Sequence, residues 1–193
     1  MPFDINTFKT NGLNLGGARP SLFEVRIALP DLEFPDRNYL SKFTFTCRAS
    51  SIPASSIASF DVPYFGRKIK LAGDRTFADW NVTVMNDEDY GVRRIFEQWS
   101  SNINSHEKNE KRQPNNQYKG VNSEVIQYGR SGGIIANYIF VGLFPTEISA
   151  MDLDWDATNS VQTFNVTFAY DYYISPAADF NESAGFLTNR SPQ

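Results

Sequence analysis

Residues 163–173, TFNVTFAYDYY, place an apolar or aromatic side chain at every second position. Successive side chains of a β-strand point to opposite faces of its sheet, so this period predicts a strand with one buried and one solvated face. Such a strand must pair with others and cover its apolar side. The apolar side consists of Phe164, Val166, Phe168, Tyr170 and Tyr172.

The same period predicts strands elsewhere in the chain. Segments 22–29, 43–48 and 78–85 alternate in the same way. Segments 124–130 and 134–143 flank the sequence RSGG, which is typical of a turn between two strands. The second of these two is apolar on both faces, and we expect it to be buried on both. Aromatic residues make up 15% of the chain, which also favours a β-rich core.

One stretch has a helical period. Apolar residues recur at intervals of three and four, which predicts one amphipathic helix. The stripe consists of Val92, Ile95, Phe96, Trp99 and Ile103. Asn86 stands where the N-cap belongs, and Asp89 follows three positions later, as in a variant of the capping box.

The acidic step at 86–89, with the sequence NDED, also allows a metal site or a general acid and base. Carboxylates at the start of a helix complement its dipole, which explains them without chemistry. The catalytic alternative needs a base or a metal partner, and the only histidine, His106, lies in a polar segment. The structural interpretation is therefore favoured.

Residues 151–163, MDLDWDATNSVQT, begin like a calcium-binding loop. Ala157 occupies the position of the turn glycine and Thr163 that of the bidentate glutamate, so calcium is not favoured. We expect a strand instead, with Met151, Leu153 and Trp155 facing inward. Its three aspartates would face outward: Asp152, Asp154 and Asp156.

Residues 63–77 are rich in cations but lack the spacing of a phosphate-binding loop. This pattern predicts a solvated or partner-facing hairpin. Residues 49–66 combine small residues with two prolines, which predicts an irregular excursion over the surface.

Composition excludes several classes of protein. The net charge of −4 gives no overall basic field for holding nucleic acid. A single cysteine, Cys47, allows neither an internal disulfide nor a cysteine-based zinc site. No signal peptide and no apolar run of membrane-spanning length is evident, so we expect a soluble protein of a reducing compartment. No nucleophile–base pair or metal constellation is found, which predicts a protein that is not an enzyme and needs no cofactor.

We expect a single domain over residues 1–193, because no linker or repeat divides the chain. Three polar segments lack periodicity, and we expect them to order against partners or to serve in contacts. They are an N-terminal arm at 1–18, a long loop at 105–120 and a C-terminal extension at 174–193.

The order of these segments resembles the tail tube protein of T-even-like contractile phages over residues 18–173. Its most specific portions are 68–88, KIKLAGDRTFADWNVTVMNDE, and 153–172, LDWDATNSVQTFNVTFAYDY. The resemblance implies a mainly β fold of two packed antiparallel sheets in a small barrel or sandwich. One α-helix would flank it, as in the tubes of type VI secretion systems.

The resemblance also implies a structural virion protein whose copies form hexameric rings that stack into the inner tube of a contractile tail. Implied partners are further copies of itself, the tail sheath protein, baseplate tube-initiation proteins and the tape measure protein in the lumen. DNA would pass through without specific binding. The subunit would be made as a soluble protein in the host bacterial cytoplasm, without membrane insertion.

For such a tube, the candidate subunit interface comprises Arg67, Lys68, Lys70, Asp74, Arg75 and Tyr118. Acidic side chains would help DNA to slide, since phosphate binding requires cations. The candidate lumen-facing residues are Glu24, Asp152 and Asp154.

Three alternatives stay open at this point. The chain could be a baseplate tube-initiation protein or the tube protein of a contractile injection or secretion system. It could also be a soluble β-sandwich binding module, for example for glycans, that uses exposed tyrosine and tryptophan.

Overall fold

The computed structural model describes residues 4–11, 16–30, 34, 39–108, 110–111 and 117–175. The predicted C-terminal extension therefore lies almost wholly outside the described residues, as do parts of the N-terminal arm and of the 105–120 loop. The described elements, in chain order, are α1 (Ile5–Asn11), β1 (Phe23–Arg26), α2 (Tyr39–Thr46), β2 (Cys47–Ser50), β3 (Ser55–Tyr64), β4 (Arg67–Phe77), β5 (Trp80–Met85), α3 (Gly91–Ile103), β6 (Gly120–Tyr128), β7 (Ile134–Ile148), β8 (Thr163–Ala169) and β9 (Tyr172–Ile174).

The strands form two antiparallel sheets, which confirms the mainly β prediction. Seven strands make one sheet in the order β1-β6-β7-β8-β5-β2, with β9 also paired to β7. The long strand β7 pairs with β6 at its start and with β8 at its end, so it joins the two halves of this sheet. The end strands β1 and β2 contact each other, and α2 contacts both, so the sheet curls around one core. The other two strands, β3 and β4, form a separate hairpin.

The core is built on the alternation that the sequence shows. Trp80, Val82 and Val84 of β5 are buried, while Asn81 between them is exposed. The Trp80 ring stacks on Phe140 of β7 at 4.4 Å between centroids. Large aromatic surfaces removed from water in this way supply most of the driving force for folding.

Helix α3 covers this core as the stripe predicts. Val92, Ile95, Phe96 and Trp99 are buried, and Ile103 is partly buried against them. The indole Nε1 of Trp99 donates a hydrogen bond of 2.7 Å to the Tyr118 carbonyl, so the buried polar atom is satisfied.

The strand prediction for residues 43–48 is wrong for most of its length. Residues 39–46 form α2, and the strand begins only at Cys47. Phe43 packs edge-on against Phe96 of α3 at 5.6 Å, whereas Phe45 is 84% exposed. Contact with α3 thus overrides the local alternation. The expectation of one helix is corrected to three within the described residues.

Two further segments differ from the secondary structure that the sequence predicts. Residues 49–66 are largely regular, because β3 occupies Ser55–Tyr64. The strand expected over 151–163 is instead a loop, since short turns organise it locally: the Asp156 amide donates to Asp154 Oδ1 at 3.0 Å. Such side-chain contacts compete with ladder bonds.

The eleven-residue alternation at 163–173 is divided between β8 and β9. At the break, the Asp171 amide donates to the Val141 carbonyl at 2.9 Å. Gly142 lies opposite with φ of 73°, where a side chain would collide with Asp171. The expected burial of 134–143 on both faces is wrong at its start, because Ile134 and Ile135 are 62% and 53% exposed.

Candidate assembly interface

The β3–β4 hairpin stands apart from the core. Its strands pair with each other, and apart from Ser55, Gly73 and Phe77 all their residues are exposed. A two-stranded hairpin is marginally stable in water at best. As far as the described residues go, this one therefore presents both faces and both edges to solvent or to a partner.

The hairpin is amphipathic. Cross-strand pairing places Phe60 opposite Leu71 and Val62 opposite Ile69 on one face, which continues through Tyr64. We call these five residues the hairpin apolar face, and their exposed fractions run from 38% to 62%. The opposite face carries polar pairs such as Asp61 with Lys70.

The hairpin tip is aromatic and cationic. Phe65 is 91% exposed and meets the Tyr64 ring edge-on at 4.7 Å. Gly66 follows with φ of 82°, a left-handed conformation that glycine adopts without strain and that closes the turn. Arg67 and Lys68 come next, both exposed.

The hairpin base is fixed to the body of the protein. The Phe77 ring contacts Tyr173 at 5.2 Å and Tyr170 at 6.1 Å. The Tyr170 hydroxyl donates to the Ala78 carbonyl at 2.7 Å, and burial raises the pKa of Tyr170 to about 12. The hydroxyl therefore keeps its proton for this bond at neutral pH.

Five of the six predicted interface residues lie together on exposed β4: Arg67, Lys68, Lys70, Asp74 and Arg75. The sixth, Tyr118, lies apart from them. It is half-buried at the turn before β6, and its ring contacts Phe144 at 5.3 Å.

Residues 149–162 connect β7 to β8, and we call them the acidic loop. This loop also exposes large apolar side chains. Trp155 is 100% exposed and Leu153 is 83% exposed. The loop carries three aspartates and no cation, and all three carboxylates are exposed. Asp152 and Asp154, predicted to face a lumen, therefore lie in this loop and not on a strand.

Glu24, the third lumen candidate, lies on β1 in a polar network. Its carboxylate accepts hydrogen bonds from the Tyr128 hydroxyl at 2.5 Å and from Arg26 Nε at 2.6 Å. These bonds, with that from Tyr128 the larger, hold the pKa of Glu24 below its usual value. Arg26 also pairs with Glu124 at 3.0 Å, so the charge of Glu24 is partly balanced locally.

The N-cap prediction for Asn86 is wrong. Helix α3 begins at Gly91, and its N-cap is Tyr90, with φ of 54° and no side-chain capping bond. Asn86 instead donates from Nδ2 to Gln162 Oε1 at 3.0 Å, and its backbone amide donates to the Gln162 carbonyl at 2.8 Å. It joins the end of β5 to the end of the acidic loop. Asp89 does reach the helix start, accepting the Gly91 N–H at 3.0 Å.

Lys42 of α2 forms ion pairs with two carboxylates of the acidic segment 86–89. Its Nζ donates to Asp87 at 2.5 Å and to Asp89 at 2.7 Å. The hydrogen bond from Lys42 and, to a smaller extent, that from the Gly91 amide hold the pKa of Asp89 below its usual value. The carboxylates thus fix α2 to the start of α3. Among the described residues, no group of three or more histidine, cysteine, aspartate or glutamate side chains is placed to hold a metal.

The sequence comparisons identify the family. A family model described as "Phage tail tube protein" matches residues 18–176. The tail tube protein gp19 of Enterobacteria phage T4 is 40% identical over 158 residues, which cover 81% of this chain and 90% of the relative. The gp19 of Enterobacteria phage T6 matches with the same identity and coverage.

The chain belongs to the phage tail tube protein family. This confirms the resemblance found in the sequence, since the relatives are the tail tube proteins of phages T4 and T6. Of the solved structures, a chain of the anti-feeding prophage baseplate superposes with a TM-score of 0.62 at 12% identity, covering 85% of this chain and 98% of that one. A chain of the sheath/tube terminator of an extracellular contractile injection system gives 0.57 at 13% identity, covering 82% and 96%. At these identities the likeness is one of fold.

For this tail tube family member, the described helices include none that is long and apolar enough to span a membrane. Sequence reasoning missed the hairpin apolar face and the exposure of Trp155. The alternation of Phe60, Val62 and Tyr64 was the available signal, and it lay inside the segment that small residues and prolines marked as irregular.

Proposed function

We propose that copies of this chain close into hexameric rings and that these rings stack into the hollow inner tube of a contractile phage tail. The observation that carries this is the hairpin apolar face, exposed on a hairpin whose outer edges pair with no other described strand. Free strand edges and contiguous exposed apolar surface both favour association with another chain. Family membership indicates that the product of this association is a tube.

The ring number and the partners rest on the family. The baseplate structure whose chain shares this fold is six-fold symmetrised, which supports six copies per ring. The sheath protein would surround the tube and baseplate tube-initiation proteins would start it. The tape measure protein would occupy the lumen until DNA passes through. In this role the chain is a structural virion component and not an enzyme.

Of the three lumen candidates, we keep Glu24 as the proposed lumen-facing residue. Asp152 and Asp154 lie on the exposed acidic loop beside Leu153 and Trp155, which favours a subunit contact for them instead. Carboxylates in a channel repel phosphates, whereas cations there bind them and release counterions. Replacement of Glu24 by lysine would then slow DNA ejection from assembled phage. Ejection at the unchanged rate would contradict a lumen-facing Glu24.

The direct test is electron microscopy of the purified full chain. Negative-stain images that show rings or filaments, followed by a helical reconstruction with six subunits per ring, are the expected result. Rings that never extend would favour a tube-initiation protein, and persistent monomers would favour a soluble binding module. Both outcomes would overturn the proposal.

A further inference from the structure

The base of the hairpin and the end of the acidic loop lie at opposite ends of the same strand pair. The register places Trp80 opposite Phe168 at one end of β5 and Met85 opposite Thr163 at the other. The hairpin ends at Phe77, just before Trp80, whereas the acidic loop ends at Gln162, just before Thr163. The five steps along β5 separate these ends by roughly 17 Å.

The two ends carry complementary surfaces. The hairpin strands and turn, residues 55–77, contain four cations and two aspartates, and the acidic loop contains three aspartates and no cation. Both also expose large apolar side chains, with Phe65 at 91% on the tip and Trp155 at 100% on the loop. Opposite charge around exposed aromatic side chains is the composition of an interface with an apolar centre and a polar rim.

We propose that the hairpin tip of one copy docks on the acidic loop of the next copy along the tube axis. Phe65 packs against Trp155 and Leu153, while Arg67 and Lys68 pair with Asp152 and Asp154 of the neighbouring copy. The occupant of each surface is thus a second copy of this chain.

This contact is heterologous, because the hairpin of one copy meets a different surface on the other. Heterologous contacts propagate head to tail instead of closing a two-fold dimer. Because the two surfaces lie at opposite ends of one subunit, every stack has an unoccupied hairpin at one end and an unoccupied acidic loop at the other. Stacking can therefore continue without limit, as a tube requires.

The inference deepens the proposed function and rests on it. It gives Asp152 and Asp154 a role in subunit contact in place of the lumen, and leaves Glu24 as the lumen candidate. Exposed residues carry the contact, so their substitution leaves the fold of the monomer intact.

A charge exchange tests the pairing. In the full chain, Arg67→Glu with Lys68→Glu abolishes filaments, and so does Asp152→Lys with Asp154→Lys. All four substitutions together restore filaments, as seen by negative stain and sedimentation. A matched control combines the hairpin substitutions with Glu107→Lys and Glu110→Lys, which restore the same net charge at another exposed site. This control does not assemble.

Each other result overturns the inference. Filaments unaffected by either reversal, no recovery in the fourfold variant, or equal recovery in the matched control would each show that these surfaces do not pair, while the tube proposal stands. A wild-type chain that never assembles would overturn both. Circular dichroism and thermal melting confirm that every variant is folded.

Cross-linking gives a second readout that does not depend on charge. A mixture of Phe65→Cys and Trp155→Cys copies forms a disulfide-linked dimer on oxidation, and neither variant does so alone. The native Cys47 contributes little background, because burial raises the pKa of its thiol to about 12. Filaments that form from the mixture without this cross-link would contradict the proposed contact.

Discussion

The seven-stranded sheet and the β3–β4 hairpin use the same alternating pattern with opposite results. In β5, Trp80 and Val82 are 0% and 1% exposed, because α3 and the neighbouring strands cover them. In the hairpin, Phe60 and Val62 are 52% and 38% exposed, because the two described strands that carry this face pair only with each other, outside the seven-stranded sheet. Alternation therefore specifies a face to be covered, and the cover can come from the same chain or from another copy.

The largest expected effect is on the body of the protein. Trp80→Ala removes a fully buried ring and its stack with Phe140. We expect it to lower the free energy of unfolding by about 3–5 kcal/mol, measured by urea denaturation. Phe60→Ala is the matched aromatic deletion on the hairpin, and we expect a change of less than about 1 kcal/mol. Equal losses at the two positions would remove the distinction between body and hairpin.

The hairpin apolar face should matter for assembly more than for stability. Phe60→Ser with Leu71→Ser leaves the melting temperature of the monomer nearly unchanged, because both side chains are already solvated. We expect filaments to disappear in negative stain and sedimentation velocity. The control, Ser59→Ala with Ala72→Ser on the opposite face, should assemble normally. Normal assembly of the first variant would show that this face stays uncovered in the tube.

Asn86 tests how the end of β5 is held to the end of the acidic loop. Asn86→Ala removes the hydrogen bond to Gln162 and should cost about 1 kcal/mol in the free energy of unfolding. Asn86→Ser separates this bond from capping, since serine is a good N-cap but is too short to replace the amide contact. Full recovery of stability by serine would restore the capping interpretation.

The smallest effect concerns pH. The folded-state pKa of Asp89 lies below its ordinary value because Lys42 and the Gly91 amide favour the carboxylate. Its contribution to stability is therefore present above about pH 4 and is lost as the pH falls through the folded-state pKa. Lys42→Met should lower the melting temperature at pH 7 and flatten its fall on acidification.

The hairpin again supplies the control for this measurement. Lys68 and Asp61 form a more open pair at 3.8 Å, with the Lys68 side chain 76% exposed. Lys68→Met should leave the pH profile of the monomer unchanged, because exposed pairs contribute little. A pH profile of Lys42→Met identical to that of the wild type would show that the ion pairs of Lys42 with Asp87 and Asp89 do not contribute to stability.

Much of the body could be predicted because its signals are strong and local. Strands β1, β5 and β8 and helix α3 each combine a clear period with residues that suit the element. The same reasoning failed at α2, where the alternation of Phe43 and Phe45 resembles a strand. What decides the outcome there is the contact of Phe43 with Phe96, which is far away in sequence.

The exposure of the candidate interface was predicted in part. The cations of β4 predicted a solvated or partner-facing hairpin, since a charged run of this kind has no reason to enter the core. The hairpin apolar face was not predicted, because apolar alternation alone does not say whether the surface that covers it belongs to the same chain. Trp155 was expected to face inward because a strand was predicted over 151–163, whereas the segment before Thr163 is a loop.

Side-chain period and composition were sufficient to specify a β-rich chain and the helix that covers its core. These two properties follow from neighbouring residues, whose geometry in a strand or a helix is fixed by the backbone. The tail tube family was indicated separately, by the resemblance of long segments such as 68–88 and 153–172. Only the tertiary structure decided that residues 39–46 are helical, that Asn86 bonds to Gln162, and that the base of the hairpin and the end of the acidic loop lie at opposite ends of β5. Each of these depends on which distant residues meet, and that is set by the packing of the whole core.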